Sequence, residues 1–434
     1  MRGRARAQPA ALTQYRDASG VLATYEPGGP VRAGHPFFRP MGTNGRACIS
    51  CHQPGDGWTI TPAHIEERFK KSHGQDPLFR LVDGATCPSD DVSTPEARRR
   101  AYKLLLTKGL IRMPIPLPRD AEFSVIHVDD PYGCTKLEGP KTGVLSVYRR
   151  PLPATNLRFE PDIMWDGREP NLATQAVNAA ASHEQSAGAP TAGDVDAIVE
   201  FETGLWTAQV ADNAAGSLRD LGVGGGPIDL SRQDFYIGIN DSLGNNPTHQ
   251  QFDLEVFDIF QPWRGLQGPT AQERERSAIA RGEEIFNQRP FFMAGLAGLQ
   301  GTTGDEMATG FCTTCHDTPN VGTRSIKGPI SIGSADASRR TPDLPLFTLR
   351  CDRGPHKGRD FQISDPGRAL MTGRCADIGE FKVPGLRALA ARPPYFHDGS
   401  AATLMDVVNF YDLRFGMGLT ESEKKDLAVF LRTL

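Results

Sequence analysis

Two stretches of the chain each hold two cysteines and a histidine within five residues. They read Cys48-Ile49-Ser50-Cys51-His52 and Cys312-Thr313-Thr314-Cys315-His316, which is the pattern C-x-x-C-H twice. This pattern attaches c-type haem, because the two thiols add across the vinyl groups of the porphyrin and the adjacent imidazole becomes the proximal iron ligand. We therefore expect two covalently bound haem c groups, with His52 and His316 as iron ligands.

The spacing of the cysteines alone does not identify haem, since C-x-x-C also serves zinc ribbons and thioredoxin-like redox sites. A thioredoxin-like site does not need a histidine directly after the second cysteine. Two complete frames would also supply more ligands than one zinc ion takes. The repeated frame therefore favours haem over a zinc-binding scaffold. A colourless purified protein would instead indicate the zinc-binding scaffold.

The four remaining cysteines are Cys87, Cys134, Cys351 and Cys375. Haem c is attached on the exported side of the membrane, so the two frames predict a periplasmic or secreted protein, where disulfides persist. Four cysteines allow three pairings. We prefer Cys87 with Cys134 and Cys351 with Cys375, because each pair stays within one segment. Free buried cysteines are the alternative.

Helices are predicted on both sides of the second frame. QERERSAIARGEEIFNQ, residues 272–288, has the pattern of an amphipathic helix that leads into the attachment loop. LTESEKKDLAVFLRTL, residues 419–434, begins with a capping box of Thr420 and Glu423 and continues with apolar residues at helical spacing. A helix, an attachment loop and a closing helix make a cytochrome c-like domain, here about 270–434.

The first frame has a less regular context, after the glycine- and proline-containing HPFFRPMGTNG. FSVIHVDD and VLSVYRRPLP are β-branched runs that predict strands, so we expect a β insertion at about 75–160 in an N-terminal cytochrome c-like domain, 1–215. TAGDVDAIVEFETGLW predicts a capped helix, and the glycine-rich GSLRDLGVGGGPIDL predicts a loop that opens a linker or insertion, 216–269. The expected fold is mainly α, with two cytochrome c-like haem domains and a small β-containing insertion.

IMWDGREPNLATQAV (163–177) and GEFKVPGLRALAARPPYFHDGSAATLMDVVNFY (379–411) resemble the WDGR and FKVPxLR…PYFHDGS…TL signatures of the bacterial dihaem cytochrome c peroxidase and MauG superfamily. The resemblance spans most of the chain, apart from two stretches, 75–160 and 205–270, that look like insertions. It implies that the haem on His52 meets peroxide or oxygen and that the haem on His316 exchanges electrons. It further implies a calcium ion between the haems and a bridging role for Trp165, for which core packing is the alternative.

The sixth ligand of each iron decides what the iron does, because an iron with two strong protein ligands transfers electrons and an open iron binds oxygen or peroxide. Fourteen residues after His397 lies Tyr411, at the position where MauG-type members of the superfamily carry a tyrosine and short members a methionine. Met417 and Met371 are competing candidates, and a buried structural tyrosine is the remaining alternative. His397 is expected near the haem propionates rather than on the iron.

For the first haem, the resemblance implies a glutamate about twenty residues after the WDGR tryptophan, and this chain has His183 and Glu184 at eighteen and nineteen. A glutamate there could move the peroxide proton as general acid and base. His183 could do so closer to neutral pH, or it could ligate the iron and close the site. The Asn-Pro-x-Glu context of the superfamily is missing, and an exposed pair at a helix end is the alternative.

Composition limits the partners of this 434-residue chain. Its net charge of −4 and pI near 6.2 give no reason to expect nucleic acid, and Arg98-Arg99-Arg100 is expected to be a solvated helix face. No apolar run reaches the roughly 18 residues of a transmembrane helix. The basic start, MRGRARAQPA, contains the small-x-small pattern Ala5-Arg6-Ala7 without the apolar core of a signal peptide, so we expect that a signal has been removed or replaced.

The favoured hypothesis is a dihaem cytochrome c peroxidase-like enzyme that uses hydrogen peroxide or oxygen at the N-terminal haem and transfers electrons through the C-terminal haem. Its partner would be an electron-donor protein, an oxidisable protein or a small organic substrate, with specificity built in the insertions. The alternative is a non-catalytic electron-transfer cytochrome with both irons six-coordinate, closed by His183 on one side and by Tyr411 or Met417 on the other.

Overall fold

The computed structural model describes residues 10–30, 34–296 and 308–434. The N-terminal pattern Ala5-Arg6-Ala7 lies outside these residues. About 30% of the described residues are helical and 18% are in strands, which agrees with the predicted excess of helix. Within the described ranges, no helix is both long enough and apolar enough to cross a membrane.

The helices begin where a polar side chain caps the free N–H groups of the first turn. Thr270, Thr403 and Thr420 each form a capping box with an acidic residue three positions later. The helices of the described chain are α1 (Pro62–Ser72), α2 (Pro95–Ala101), α3 (Lys103–Lys108), α4 (Leu172–Ser182), α5 (Ala192–Thr203), α6 (Pro227–Leu230), α7 (Ala271–Gln288), α8 (Cys312–Cys315), α9 (Ala369–Thr372), α10 (Leu404–Phe415) and α11 (Glu421–Arg432). Helices α5, α7 and α11 confirm three of the predicted segments.

The strands form small antiparallel sheets. They are β1 (Ala11–Arg16), β2 (Gly20–Glu26), β3 (Ile111–Pro116), β4 (Phe123–Asp129), β5 (Lys136–Gly139), β6 (Thr142–Arg149), β7 (Trp206–Asp212), β8 (Gly216–Ser217), β9 (Phe291–Met293), β10 (Ala308–Gly310), β11 (Leu346–Cys351) and β12 (Asp360–Ile363). Their orders are β1-β2-β7-β8, β10-β9, β12-β11-β4 and β3-β6-β5. Strands β4 and β6 are the two that the β-branched runs predict.

Helices α7 and α11 pack closely in the C-terminal half. A Cβ atom on Gly282 of α7 would lie 2.1 Å from the carbonyl oxygen of Asp426, so only glycine permits this approach. Phe430 of α11 is fully buried, and its ring centroid lies 5.7 Å from that of Phe286. This helix pair forms one side of the core that surrounds the second attachment turn, α8.

The β insertion is joined to the C-terminal half, because β4 pairs with β11 from Phe123 opposite Cys351 to Asp129 opposite Leu346. Both predicted disulfides are present. Cys87 is bonded to Cys134 with a Cα–Cα distance of 5.5 Å, and the Cα atoms of the second pair, 351 and 375, are 6.1 Å apart. The boundaries of the two predicted haem domains stay a prediction.

Candidate functional site

The first C-x-x-C-H frame lines a cavity with an empty volume of about 1570 Å³, the first cavity. Cys48 begins a 3-10 turn, and His52 follows that turn directly. The His52 Nδ1–H donates to the carbonyl oxygen of Trp58 at 2.9 Å, which leaves Nε2 as the ring nitrogen for iron. Burial lowers the pKa of His52, so the imidazole is held neutral, as a metal ligand requires.

The second frame repeats this arrangement in a second cavity of about 1550 Å³. Helix α8 carries its two cysteines, and the His316 Nδ1–H donates to the carbonyl oxygen of Gly322 at 2.6 Å. In both frames the accepting carbonyl lies six residues after the histidine. Burial lowers the pKa of His316 to about 4, so this imidazole is also neutral and free at Nε2.

The eight cysteines divide into two groups. The four frame cysteines carry free thiols, Cys48 and Cys51 in the first cavity and Cys312 and Cys315 in the second. The other four form the two disulfides. Because the two frames line different cavities, they do not come together as one four-thiolate site of the zinc-ribbon type.

The two cavities share a wall that contains Trp165, Arg150 and Arg392. The Trp165 indole Nε1–H donates to the carbonyl oxygen of Arg150 at 2.8 Å, which fixes the ring in this wall. The ring centroid of Trp165 lies 6.3 Å from that of His397, a residue of the second cavity. Trp165 is therefore in contact with both cavities.

Arg150 and Arg392 in this wall lack carboxylate partners among the described residues. Arg150 donates to the carbonyl oxygens of Lys108 and Ile60 at 3.0 Å each, and Arg392 donates to the carbonyl oxygen of Gly385. Burial lowers the pKa of Arg150 to about 9 and that of Arg392 to about 10, and the positive charge of Arg392 lowers the pKa of Arg150 further. Such unpaired buried cations suit the carboxylates of a haem.

The residues therefore fit two haem c groups. Each cavity offers two free thiols, one neutral imidazole with a free Nε2 and a share of the cationic wall. His397 adds a further match in the second cavity. It is 2% exposed, stacks on Phe381 at 4.0 Å, and its Nε2 has no hydrogen-bond partner in the described part of the chain.

Helix α4 lines one side of the first cavity, and His183 caps its C-terminal end. The cavity-facing residues recur at helical spacing along α4 and are Leu172, Gln175, Ala176, Ala179 and His183. The His183 Nδ1 lies 2.5 Å from Asp83 Oδ2, and Asp83 Oδ1 accepts from Arg46 at 2.5 Å. Burial opposes ionisation of Asp83, but Arg46 and His183 outweigh it and hold its pKa below the ordinary value. Asp83 thus orients His183 and leaves Nε2 free.

Glu184 lines the same cavity but its carboxylate is engaged. One oxygen accepts from the backbone N–H of Met41 at 2.7 Å, and the other lies 3.6 Å from the Sγ of Cys48. Burial raises the pKa of Glu184. Of the two predicted residues, His183 therefore has the free functional atom, while Glu184 lies beside an attachment cysteine.

Glu202 is a cavity residue that the sequence reading missed. It lies on α5 one turn after Ile198, and both residues line the first cavity. Its Oε2 has no hydrogen-bond partner in the described residues, and burial raises its pKa to about 8. The sequence signal for Glu202 was an acidic residue on the apolar face of a predicted helix.

No sequence signal marks Asp83 as a functional residue, because it is 100 residues away from His183 in sequence.

The second cavity contains Tyr411 and Met417, the two predicted candidates for its sixth ligand, and also Met293. Burial raises the pKa of the Tyr411 hydroxyl, and Cys315 and Cys312, which line the same cavity, add to this effect. Met371 does not line the cavity and packs instead against the β11 core. The structure thus brings Tyr411 and Met417 to the second frame, together with a third candidate that the sequence reading did not consider.

No group of three or more histidine, cysteine, aspartate or glutamate side chains suited to a metal ion occurs within the described ranges. The calcium ion stays a prediction that rests on the resemblance.

Comparison with known proteins gives partial matches. No family model matches the chain. The chain is 40% identical over 81 residues to cytochrome-c peroxidase IdrP1 of Denitromonas iodatirespirans (16% of this chain, 22% of that protein), and 38% identical over 154 residues to cytochrome-c peroxidase IdrP2 of the same organism (31% and 39%). It is 33% identical over 99 residues to cytochrome c551 peroxidase of Nitrosomonas europaea (20% and 30%). These matches span less than half the length of each relative.

Among solved structures, a MauG-like protein associated with microbial copper homeostasis is similar at 15% identity and a TM-score of 0.40, over 93% of this chain and 89% of that one.

Proposed function

Since the chain belongs to the superfamily of bacterial cytochrome c peroxidases, as its sequence predicts, we propose that it is a dihaem c-type oxidoreductase that reacts with hydrogen peroxide or oxygen at the His52 haem. The observation that carries this proposal is the pair of cavities, each lined by one haem frame, on either side of Trp165. A single-haem carrier would need neither the second cavity nor the shared wall.

In this proposal each haem is held by its own frame, through Cys48, Cys51 and His52 or through the corresponding residues 312, 315 and 316. Arg150 and Arg392 bind haem carboxylates from the shared wall, which relieves the cost of two unpaired buried charges. Haem iron bound in this way supplies one-electron transfer and the activation of peroxide or oxygen.

His183 serves as the proton-transfer group of the first cavity. Its Nδ1 is committed to Asp83, so a proton is taken up or released at Nε2. Glu202 is held neutral at pH 7 by burial and can supply a second proton. Reduction of hydrogen peroxide to two waters takes up two protons and two electrons, so two proton donors match the requirement.

The second cavity serves electron exchange. We propose Tyr411 as the sixth ligand of the His316 haem, with Met417 as the competing ligand. Burial raises the pKa of the Tyr411 phenol, so its anionic form needs a neighbouring positive charge, such as a ferric ion. With haems bound in the two cavities, Trp165 would carry electrons or oxidising equivalents across the wall, and the unpartnered Nε2 of His397 would be available to a propionate of the second haem.

A second candidate function is electron transfer without catalysis. The observation that favours it is His183, whose Nε2 is free and faces the cavity that also contains His52. Two neutral imidazoles on one iron would close it. Glu202 and the Asp83 pair would then have structural roles.

We further propose that the protein works outside the cytoplasm, in the periplasm or after secretion, with an electron-donor protein, an oxidisable protein or a small organic molecule as its partner. The two disulfides support an oxidising compartment.

Haem content and peroxide turnover test the proposal together. The wild-type protein, matured with haem c, should contain two haems per chain and oxidise a reduced c-type cytochrome when peroxide is added. A variant with Cys48→Ala, Cys51→Ala and His52→Ala should keep one haem and lose the turnover. Wild-type protein with two haems and no turnover would favour the electron-transfer function instead.

A further inference from the structure

A third concave surface lies behind the wall of the first cavity, and we call it the arginine pocket. Its polar lining consists of Arg80, Arg98, Arg112, Tyr102, Gln75 and Gln185, and its empty volume is about 1250 Å³. Strand β3 forms part of the partition, since Ile111 and Met113 face the first cavity and the intervening Arg112 faces the arginine pocket. The partition is therefore one strand thick.

The three arginines have no salt bridge among the described residues. Arg98 donates to the carbonyl oxygen of His73 at 3.1 Å, Arg80 to that of Asn44 at 2.8 Å, and Arg112 to that of Val82 at 2.9 Å. The Arg80 guanidinium also donates to the backbone carbonyls of Asp76 and Phe79. Three positive charges thus line one pocket without a carboxylate partner.

Arg112 shows most clearly that a partner is missing. It is only 7% exposed, and its Nε has no hydrogen-bond partner in the described chain. Burial lowers the pKa of Arg112, which means that its charged form is disfavoured where it stands. A bound anion would remove this penalty.

The carboxylates near the pocket are engaged elsewhere. Asp76 pairs with Arg68 at 2.5 Å, Asp83 pairs with Arg46 at 2.5 Å, and Asp90 accepts from Thr86 and from the backbone N–H of residue 87. Asp83 and Asp90 offset part of the burial effect on the pKa of Arg112, but neither carboxylate forms an ion pair with a pocket arginine in the described residues.

The pKa of the Tyr102 hydroxyl indicates that Arg80 and Arg98 both lie near this side chain. Burial raises its pKa, while the positive charges of Arg80, Arg46 and Arg98 oppose the rise.

The run Arg98-Arg99-Arg100 was expected to be solvated throughout. Arg99 and Arg100 are exposed, but Arg98 is half-buried in the pocket, so the expectation is wrong for that residue.

Besides the polar residues and Gly74, the lining is apolar and consists of Phe79, Leu81, Val82, Pro88 and Val92. Guanidinium groups bind carboxylates and phosphates through paired N–H donors, and an apolar lining favours a ligand with an apolar body. We propose that the arginine pocket binds a small organic carboxylate. This site is separate from the haem cavities, and the proposal does not depend on the reaction at the His52 haem.

Calorimetric titration of the haem-loaded protein with benzoate, benzamide and phosphate tests the proposal. Benzoate and benzamide share shape and differ in charge, so benzoate should bind and benzamide should not. Raising the salt concentration should weaken benzoate binding. Phosphate should bind less tightly than benzoate. Equal binding of benzamide, no binding of benzoate or tighter binding of phosphate would overturn the assignment to an organic carboxylate.

Arg98→Gln locates the site, with Arg100→Gln on the same helix as the matched control. Loss of a charge-assisted hydrogen bond should weaken benzoate binding by about tenfold or more in Arg98→Gln and should leave it unchanged in Arg100→Gln. Benzoate bound at an iron would instead shift the Soret band and be indifferent to Arg98→Gln, which would contradict the proposal. If Arg98→Gln does not fold, the comparison of benzoate with benzamide at constant Soret absorption decides the matter on the wild-type protein.

Discussion

Asp83→Asn changes the charge behind His183 while it keeps the side-chain shape. In the wild-type protein Asp83 binds both His183 and Arg46, each at 2.5 Å, and its side chain is 5% exposed. A hydrogen bond to a charged group contributes about 1.5–3 kcal/mol. We therefore expect the second-order rate constant for reaction with peroxide to fall by roughly 10- to 100-fold, at about 1.4 kcal/mol for each factor of ten.

The same change also affects stability, since Arg46 would be left buried without its partner. Breaking a buried ion pair in this way costs about 3–5 kcal/mol of the free energy of unfolding. The folded-state pKa of Asp83 is lowered, so its stabilising contribution is complete above the unfolded pKa of about 3.9 and is lost as pH falls through the folded pKa. The stability difference between wild type and variant should therefore be largest at neutral pH and shrink in acid.

Stopped-flow mixing with peroxide and urea unfolding at several pH values measure the two effects. Asp426→Asn is the matched control, because Asp426 pairs with Arg281 at 2.7 Å and lines neither cavity. It should lower stability without changing the rate constant. An unchanged rate constant in Asp83→Asn, or equal losses in both variants, would refute the role of Asp83 in positioning His183.

Three further predictions concern the wall, the second haem and a disulfide. Trp165→Phe should slow electron transfer between the haems, measured by flash reduction, and leave both haem spectra as they are; an unchanged rate would mean that the indole is not on the path. Tyr411→Phe should change the EPR signal of one haem, whereas Met417→Leu should not, and the reverse result would make Met417 the ligand. Replacing Cys351 and Cys375 by serine should lower the free energy of unfolding by roughly 3 kcal/mol, because this disulfide closes a loop of 24 residues, and an unchanged urea midpoint would count against it.

Local signals in the sequence predicted much of the C-terminal half. The caps at Thr270 and Thr420 involve residues three positions apart, and the C-x-x-C-H frames fix their thiols and imidazole within five residues. The disulfide pairs were also predictable, because each closes within one segment. Such features depend on neighbours in sequence, so a single chain reveals them.

The polar lining of the cavities was not predictable in the same way. Asp83 meets His183 across 100 residues, and Arg150 meets the carbonyl of Arg392 across 242. Nothing near Asp83 in sequence marks it as a partner of a histidine. Only the folded chain brings these groups together. For the same reason, the sequence does not predict Met293 as a candidate sixth ligand beside Tyr411.

EPR of the oxidised protein, recorded before and after addition of hydrogen peroxide, tests the central claim that the two haem sites differ and that the first one reacts. We predict one high-spin ferric signal, lost on addition of peroxide, and one low-spin signal that is altered in Tyr411→Phe. Two low-spin signals, both unchanged by peroxide, would contradict the account and leave an electron-transfer cytochrome in its place.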